Sequence, residues 1–357
     1  MPDGLGHTQR SVLMTADAVG GVWRYAVDLA GGFAERGVRT VLAVMGPAAS
    51  VAQRAEAEAV PGLRLVQTGL PLDWTAESSG ALRQATAGLA SLAALLGVRS
   101  VHLHAPALVG EARWPVPVVA VAHSCVGTWW RAVRGGPMPE NLAWRAAAAA
   151  AGMRAAAAVI SPSAAHAAAL VAAYGKSTIE VVHNGRTPQP ARGVRSRAVL
   201  TAGRLWDPGK GMAALDRAAA RLEAPVRAAG PLRAPHGETA AFAHLRLLGT
   251  LDQTGMAQAY AEARVFASMA GYEPFGLAVL EAAQAGMRLV LHDIPTFREL
   301  WDGAAIFVDD EAGLLPALQA ALDAPGDGGA RDRAARYTVD AMADGTLAVH
   351  RAMGALA

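Results

Sequence analysis

Two glutamates eight residues apart, Glu273 and Glu281, bracket the segment Gly271-Tyr272-Glu273-Pro274-Phe275-Gly276-Leu277-Ala278-Val279-Leu280-Glu281. The apolar run Val265–Ala267 before it reads as a strand and the stretch after it as an amphipathic helix, with Pro274 in the first-turn position that proline tolerates. A helix begun there leaves the backbone N–H groups of Phe275, Gly276 and Leu277 unspent at the positive end of the helix dipole, which suits an anion or a hydroxyl. Eight helical residues rise roughly 12 Å, about the spacing of the two sugar rings in a nucleotide sugar. Each carboxylate can accept from a vicinal pair of hydroxyls. The spacing alone fits a capping glutamate plus a solvated helix glutamate at least as well.

Further along the same logic, Gly203-Arg204-Leu205-Trp206-Asp207-Pro208-Gly209-Lys210-Gly211 directly follows the strand-like run Ala198–Ala202. The chain holds only two lysines, Lys176 and Lys210, against thirty arginines. A lysine here points to a need for a compact ammonium, beside the planar fork of Arg204. Together they describe a diphosphate clamp, although not a Walker sequence, and an ordinary loop fits as well. Asp17-Ala18-Val19-Gly20-Gly21 stands between the first strand and the first helix, and its glycines allow backbone to approach a phosphate. It lacks the GxGxxG spacing and reads equally as a tight turn. Val118-Val119-Ala120-Val121-Ala122-His123 is a buried-strand run ending in histidine, at the end of a strand where such sheets put functional side chains. Trp129, Trp130, Arg131 and Arg134 follow as an aromatic and basic patch suited to an acceptor, an anionic surface or packing. No HExxH or GxSxG occurs, and Cys125 has no evident orienting partner for a thiol nucleophile.

These residues need a scaffold of strand ends. Short apolar runs at Ser11–Met14, Thr40–Met45, Leu63–Gln67, Ser100–Leu103, Val116–Ala122, Ala157–Ile160 and Ile179–Val182 alternate with helical stretches such as Val22–Arg36, Gly80–Leu96, Asn141–Ala155 and Ala164–Tyr174. That alternation predicts βαβ units and a parallel sheet. Arg186–Arg197, with two prolines and four arginines, reads as a polar connection. The alternation restarts with Ala198–Ala202, Val226–Ala229, Leu245–Leu248, Val265–Ala267, Arg288–Leu291 and Ala304–Val308, and Asp340–Leu356 reads as a last helix. The fold class expected is α/β, with two doubly wound sheets and ligands at the carboxyl ends of their strands, in a cleft between the lobes.

Composition bounds the partners. The 357 residues are enough for two domains, and 32 basic against 30 acidic residues argue against a nucleic-acid binder. A single cysteine excludes an intrachain disulfide framework and multi-thiolate zinc, and points to a reducing, cytoplasmic location. Residues 1–10 lack the apolar core of a secretory signal. Ala155–Gly175 carries no formal charge over 21 residues, but Pro162, His166 and its alanine content favour strand, turn and helix over a membrane span.

In this order and spacing, the segments resemble the family-4 retaining glycosyltransferases of the GT-B fold. The resemblance covers nearly the whole chain: the Gly20-Gly21 turn, the strand ending in His123, Val181-Val182-His183-Asn184-Gly185, Gly203-Arg204 with Lys210, and Glu-x7-Glu at Glu273 and Glu281. It implies two Rossmann-like domains facing across a cleft: an acceptor-side domain over 1–188, a nucleotide-sugar domain over 189–339, and a helix over 340–357 crossing back to the first. Glu273 would bind donor-sugar hydroxyls with the N–H groups of Phe275, Gly276 and Leu277, and Glu281 would hold the ribose. Arg204 and Lys210 would neutralise the departing diphosphate, His123 would contact the donor sugar, and Gly20 and Gly21 would offer backbone. The activity implied is hexosyl transfer from a nucleoside-diphosphate sugar to an acceptor hydroxyl, with retention and without a metal or other cofactor. The acceptor would be a small molecule, a glycan or a lipid-linked species, with at most peripheral contact with the inner face of a membrane. The chain departs from the common pattern at Ser124 and at His292-Asp293-Ile294-Pro295-Thr296. Two other readings are a sugar-nucleotide 2-epimerase of related fold and a non-catalytic two-lobed sugar-binding protein.

Overall fold

The computed structural model describes residues 10–175, 178–189, 194–234 and 237–356; Lys176, the start of the chain and part of the polar connection lie outside them. The chain divides into two compact units, one made of Met1–Arg131, Gly135–Gly185 and Thr338–Ala357, the other of Ala132–Arg134 and Arg186–Tyr337.

The first unit holds strands β1 (Ser11–Asp17), β2 (Arg39–Met45), β3 (Leu63–Gln67), β4 (Ser100–Leu103), β5 (Val118–Val121), β6 (Ala158–Ser161) and β7 (Glu180–Val181). They form a parallel sheet in the order β3-β2-β1-β4-β5-β6-β7. Its helices are α1 (Gly21–Glu35), α2 (Val51–Glu58), α3 (Ser79–Leu96), α4 (Val126–Val133), α5 (Glu140–Ala155) and α6 (Ala164–Tyr174). The second unit holds β8 (Ser196–Ala202), β9 (Val226–Ala229), β10 (Arg246–Gly249), β11 (Ala263–Ser268), β12 (Arg288–His292) and β13 (Ala305–Val308), parallel in the order β10-β9-β8-β11-β12-β13. Its helices are α7 (Met212–Ala219), α8 (Gln253–Glu262), α9 (Leu277–Gln284), α10 (Pro295–Trp301), α11 (Glu311–Asp323) and α12 (Ala330–Ala334). A last helix, α13 (Val339–Ala352), belongs to the first unit.

A parallel strand covered on both faces must be apolar on both faces, which is why these strands read as continuous apolar runs. Alternate residues then enter opposite cores. Leu13, Val41, Ala43 and Met45 pack on one face of the first sheet, and Val12, Met14, Leu42 and Val44 on the other. Leu200, Phe266, Leu289 and Leu291 face one core of the second sheet, and Val199, Val265 and Val290 face the other. All the runs expected as strands form strands, with ends shifted by a few residues. The uncharged Ala155–Gly175 stretch becomes β6, a turn and α6, and no helix among the described residues is long and apolar enough to cross a membrane.

The helix α13 lies against α1, where a Cβ on Gly32 would stand 2.7 Å from the Cβ of Ala343. Arg36 adds ion pairs to Asp340 and Asp344 across the same contact, at 3.0 and 2.5 Å. Apart from Ala132–Arg134 at the end of α4, which falls with the second unit, the chain passes from one unit to the other at Gly185–Arg186 and at Tyr337–Thr338. The polar connection expected from Arg186 onward begins differently: Arg186 is only 3% exposed, and its N–H donates to the Tyr337 carbonyl at 3.2 Å. A buried guanidinium needs a partner, and it finds one on α9.

Candidate functional site

A doubly wound sheet opens a crevice where successive connections leave in opposite directions. In the second sheet that point lies between the neighbouring strands β8 and β11, which are sequential in space but not in the chain. The loop after β8 carries Gly203 to Lys210 and the loop after β11 carries Gly271 to Gly276. The strand order therefore makes neighbours of two segments about sixty residues apart. The Gly271 and Tyr272 N–H groups donate to the Gly209 carbonyl at 3.0 and 3.4 Å, and Lys210 Nζ lies 2.7 Å from Glu273 Oε2. Both of those side chains are largely shielded, at 16% and 19% exposure.

Glycine backbones permit this closeness. A Cβ on Gly211 would stand 2.1 Å from the Met269 carbonyl oxygen, and one on Gly230 would stand 1.8 Å from that of Gly203. Asp207 is buried, accepts from the Gly209 N–H at 2.9 Å and pairs with Arg204 at the same distance. Arg204 itself is half-exposed and lies over the Trp206 ring. Lys210 and Glu273 thus meet, and Arg204 stands on the same loop as Lys210, held by Asp207.

The start of α9 corrects the sequence reading. The helix begins at Leu277, with Gly276 as its cap at φ 92°, so Pro274 and Phe275 precede it. Only Leu277 of the three expected N–H donors stands in its first turn. Phe275 is a core residue, 2% exposed, edge-on to Tyr337. The cap has no side-chain hydrogen bond and the first turn no acidic residue, so the positive end of the dipole is not neutralised from within the helix. Glu281 lies on α9 as expected, but three of the seven residues between it and Glu273 are not helical, and the 12 Å rise does not apply. Its carboxylate is engaged at both oxygens: Arg186 Nε donates to Oε1 at 2.8 Å, and the Tyr260 hydroxyl donates to Oε2 at 3.0 Å. Burial and the Glu281 charge push the Tyr260 phenol well up, so it stays a donor. Neither partner was visible from spacing.

The first sheet has its own switch point, between β1 and β4. Gly20 caps α1 at φ 104°, a conformation that L side chains rarely adopt, and a Cβ there would meet nothing within 4 Å. Gly21 opens the helix, again without a side-chain cap or first-turn acid. Asp17 accepts from the Val19 N–H at 3.0 Å and shapes the turn. His123 lies two residues past β5, its ring 4.4 Å from that of Tyr25 and 5.0 Å from that of His104. Burial, with His166 nearby, pushes its imidazole down to about 3.

His123 heads a cluster that sequence reasoning missed. His102 and His104 sit two residues apart at the end of β4, and so on one side of it. His102 Nδ1 is 3.1 Å from His350 Nε2 on α13, whose Nδ1 is 2.7 Å from the Ser100 hydroxyl. The His104 ring nitrogens are buried without a hydrogen-bond partner among the described residues, and its ring stands edge-on to His102, Tyr25 and His123. Burial lowers His102 and His104 well below the ordinary value and His350 to about 3. All four imidazoles are neutral near pH 7. The His-x-His pattern at a strand end was the available signal.

Among the acceptor-side candidates, Trp129, Trp130 and Arg131 lie on α4 and Arg134 just beyond it. The two indoles are 6.3 Å apart between centroids, the Trp130 N–H donates to the Gly136 carbonyl at 3.3 Å, and Arg131 donates to the Ala172 carbonyl at 2.9 Å. Cys125 is held in contacts with Thr128 and the Tyr174 hydroxyl. In the variant loop after β12, Asp293 pairs with Arg298 and Pro295 opens α10, while His292 Nδ1 is 3.1 Å from the Ala270 carbonyl oxygen.

Comparison with known proteins bears on the family and the fold. Residues 19–189 match the model of Glycosyltransferase Family 4, and residues 196–324 match that of Glycosyl transferases group 1. A phosphatidyl-myo-inositol mannosyltransferase of Mycolicibacterium smegmatis is 37% identical over 142 residues, 36% of this chain and 36% of that protein. A glycogen synthase of Mycobacterium tuberculosis is 38% identical over 95 residues, 26% of this chain and 23% of that protein. The chain thus matches about a third or less of the length of these curated relatives. Among solved structures, sucrose-phosphate synthase from Thermosynechococcus elongatus superposes with a TM-score of 0.78 at 17% identity, over 97% of this chain and 99% of that one. Anabaena HepE in complex with UDP and glucose gives 0.71 at 16% identity, over 96% and 100%. With two parallel doubly wound sheets, and one glycosyltransferase model matching through the first unit and another through the second, the chain belongs to the glycosyltransferases of the GT-B fold.

Proposed function

We propose that this glycosyltransferase moves a hexosyl group from a nucleoside-diphosphate sugar to an acceptor hydroxyl, with retention at the anomeric carbon and with side-chain cations in the place of a metal. The observation that carries the reading is the Lys210–Glu273 contact of 2.7 Å at the switch point of the second unit, beside the uncapped start of α9. An ammonium, a carboxylate and a helix N-terminus together offer one partner for a diphosphate, one for sugar hydroxyls and one for either.

The donor's diphosphate competes with Glu273 for Lys210, and the Glu273 oxygens then turn to the sugar hydroxyls. As the bond from the anomeric carbon to the phosphate oxygen breaks, its electron pair goes to the diphosphate and the sugar gains oxocarbenium character. Lys210 and Arg204 stabilise the charge on the leaving group in a preorganised setting, and one such donor is worth about 3–4 kcal/mol. The acceptor oxygen bonds to the anomeric carbon on the face the diphosphate leaves, and its proton passes to a phosphate oxygen. Glu281 takes the ribose. The roles of His123 with the donor sugar and of Gly20 and Gly21 with the substrates rest on the family resemblance. The relatives named for mannosyl transfer to a phosphatidylinositol favour a lipid-linked acceptor and peripheral membrane contact.

Thermal unfolding measured with UDP, GDP and ADP and their glucose and mannose conjugates tests the donor class. One conjugate should stabilise the chain by about 2.7 kcal/mol at a hundredfold excess over its Kd. Mass analysis with that conjugate and an acceptor should then show an acceptor heavier by one hexose. A mass-neutral product with no acceptor consumed would replace transfer by epimerisation, and stabilisation by free sugars alone would reject the nucleotide.

A further inference from the structure

We propose that Arg186 and Tyr260 form a clasp that holds the Glu281 carboxylate for the ribose diol of the donor, with Arg186 as a positioning residue. The inference rests on the donor reading of the second unit given above. An ionised carboxylate has about four lone-pair directions, two on each oxygen. Arg186 Nε takes one on Oε1, and the Tyr260 hydroxyl takes one on Oε2. One direction per oxygen remains, which matches the two donors of a vicinal diol. The Glu281 side chain is 22% exposed while Arg186 is 3% exposed, so the acceptor faces outward and its support is buried behind it.

Arg186 is itself fixed from three sides. Its N–H donates to the Tyr337 carbonyl at 3.2 Å, its own carbonyl accepts from Gln284 Nε2 at 2.8 Å, and its side chain reaches Glu281. Glu281 and Gln284 are three residues apart and so on one side of α9, which means a single residue of the crossing segment is docked along that side. Tyr260 comes from α8, a third element. A charge-assisted donor and a neutral one from separate elements remove the rotamer freedom that a free glutamate would lose on binding ribose.

Calorimetric titration with UDP and GDP, each compared with its 2′-deoxy counterpart, tests this. In the parent protein the 2′-hydroxyl should contribute at least tenfold in affinity for the nucleotide that binds. Arg186→Met should weaken the ribonucleotide about tenfold and the deoxynucleotide less than threefold, so that the discrimination collapses. Arg186→Lys, which restores one charged donor, should recover part of it. Tyr260→Phe, a deletion of one oxygen in a buried ring, should lower discrimination about threefold in the same direction. With the donor sugar, KM should rise in each variant while kcat stays within twofold. Equal losses for the two nucleotides in Arg186→Met and Tyr260→Phe would overturn the clasp and leave a purely structural pair. Glu281→Gln separates the two readings: full loss of discrimination there, with none in the clasp variants, defeats only the positioning inference. Discrimination that survives in Glu281→Gln defeats the ribose assignment and the clasp with it.

Discussion

At the switch point of the first unit, the strand ends carry His104 and, one strand further, His123, with His102 and His350 behind them, all uncharged because burial favours the neutral ring. At the switch point of the second unit they carry Lys210, Glu273 and Arg204, each in an ion pair. Both units use the same device for the backbone, a glycine cap of positive φ opening a helix without a side-chain cap. What differs is whether charge is concentrated there. Ion pairs can be exchanged for a substrate's charge, whereas buried neutral imidazoles offer only directional hydrogen bonds and shape. The transfer proposed above, in which a diphosphate leaves and an uncharged hydroxyl attacks, would call on both kinds of chemistry.

The sharpest test of that contrast compares Lys210→Ala with His123→Ala. Lys210→Ala should lower turnover by about 10²–10³-fold, the cost of losing one stabiliser of developing charge. His123→Ala should cost about tenfold, as for one neutral hydrogen bond. Steady-state rates with far-UV circular dichroism as a folding control decide it, and equal losses would erase the distinction between charged and uncharged sites.

Acid separates the two units next. A histidine with a depressed folded-state value takes up a proton on unfolding, so its contribution is complete above about 6.5 and is lost as pH falls toward the folded value of about 3. Each of the four imidazoles should then add to the loss of stability as pH falls below 6.5. In the second unit the arginine-paired carboxylates Glu262, Asp293 and Glu311 sit below their ordinary values, so their contribution holds down to about pH 4 and goes only as they protonate. Calorimetry between pH 7 and 5 should show the first-unit transition moving down while the second stays nearly fixed. His102→Gln with His350→Gln should flatten that slope.

The caps give the smallest effect. Gly20→Ala meets no neighbour but a backbone at φ 104° and ψ −154° that only glycine adopts readily, and should destabilise by about 1–3 kcal/mol. Gly276→Ala meets left-handed strain instead, at φ 92° and ψ 67°, but also a Cβ 3.3 Å from Phe297, Val279 and Glu273, and this crowding should make it unfold at a lower temperature than Gly20→Ala. The reverse order would mean that the backbone strain at Gly20 outweighs the crowding at Gly276.

Sequence alone determined the strands, the doubly wound plan and the loops that carry Lys210, Glu273 and His123. Those depend on local rules: apolar runs for doubly covered strands, glycine where φ turns positive, and chemistry at strand ends. The partners were decided by the tertiary structure. Lys210 meets Glu273 across 63 residues, Arg186 meets Glu281 across 95, and His102 meets His350 across 248. The start of α9 also moved, because a helix begins where Gly276 can turn the chain against Phe297, and the tolerance of proline for a first turn does not fix that point. Strand order and the return of α13 choose which distant side chains share a space, and burial then fixes their charge. Neither quantity is a function of spacing along the chain.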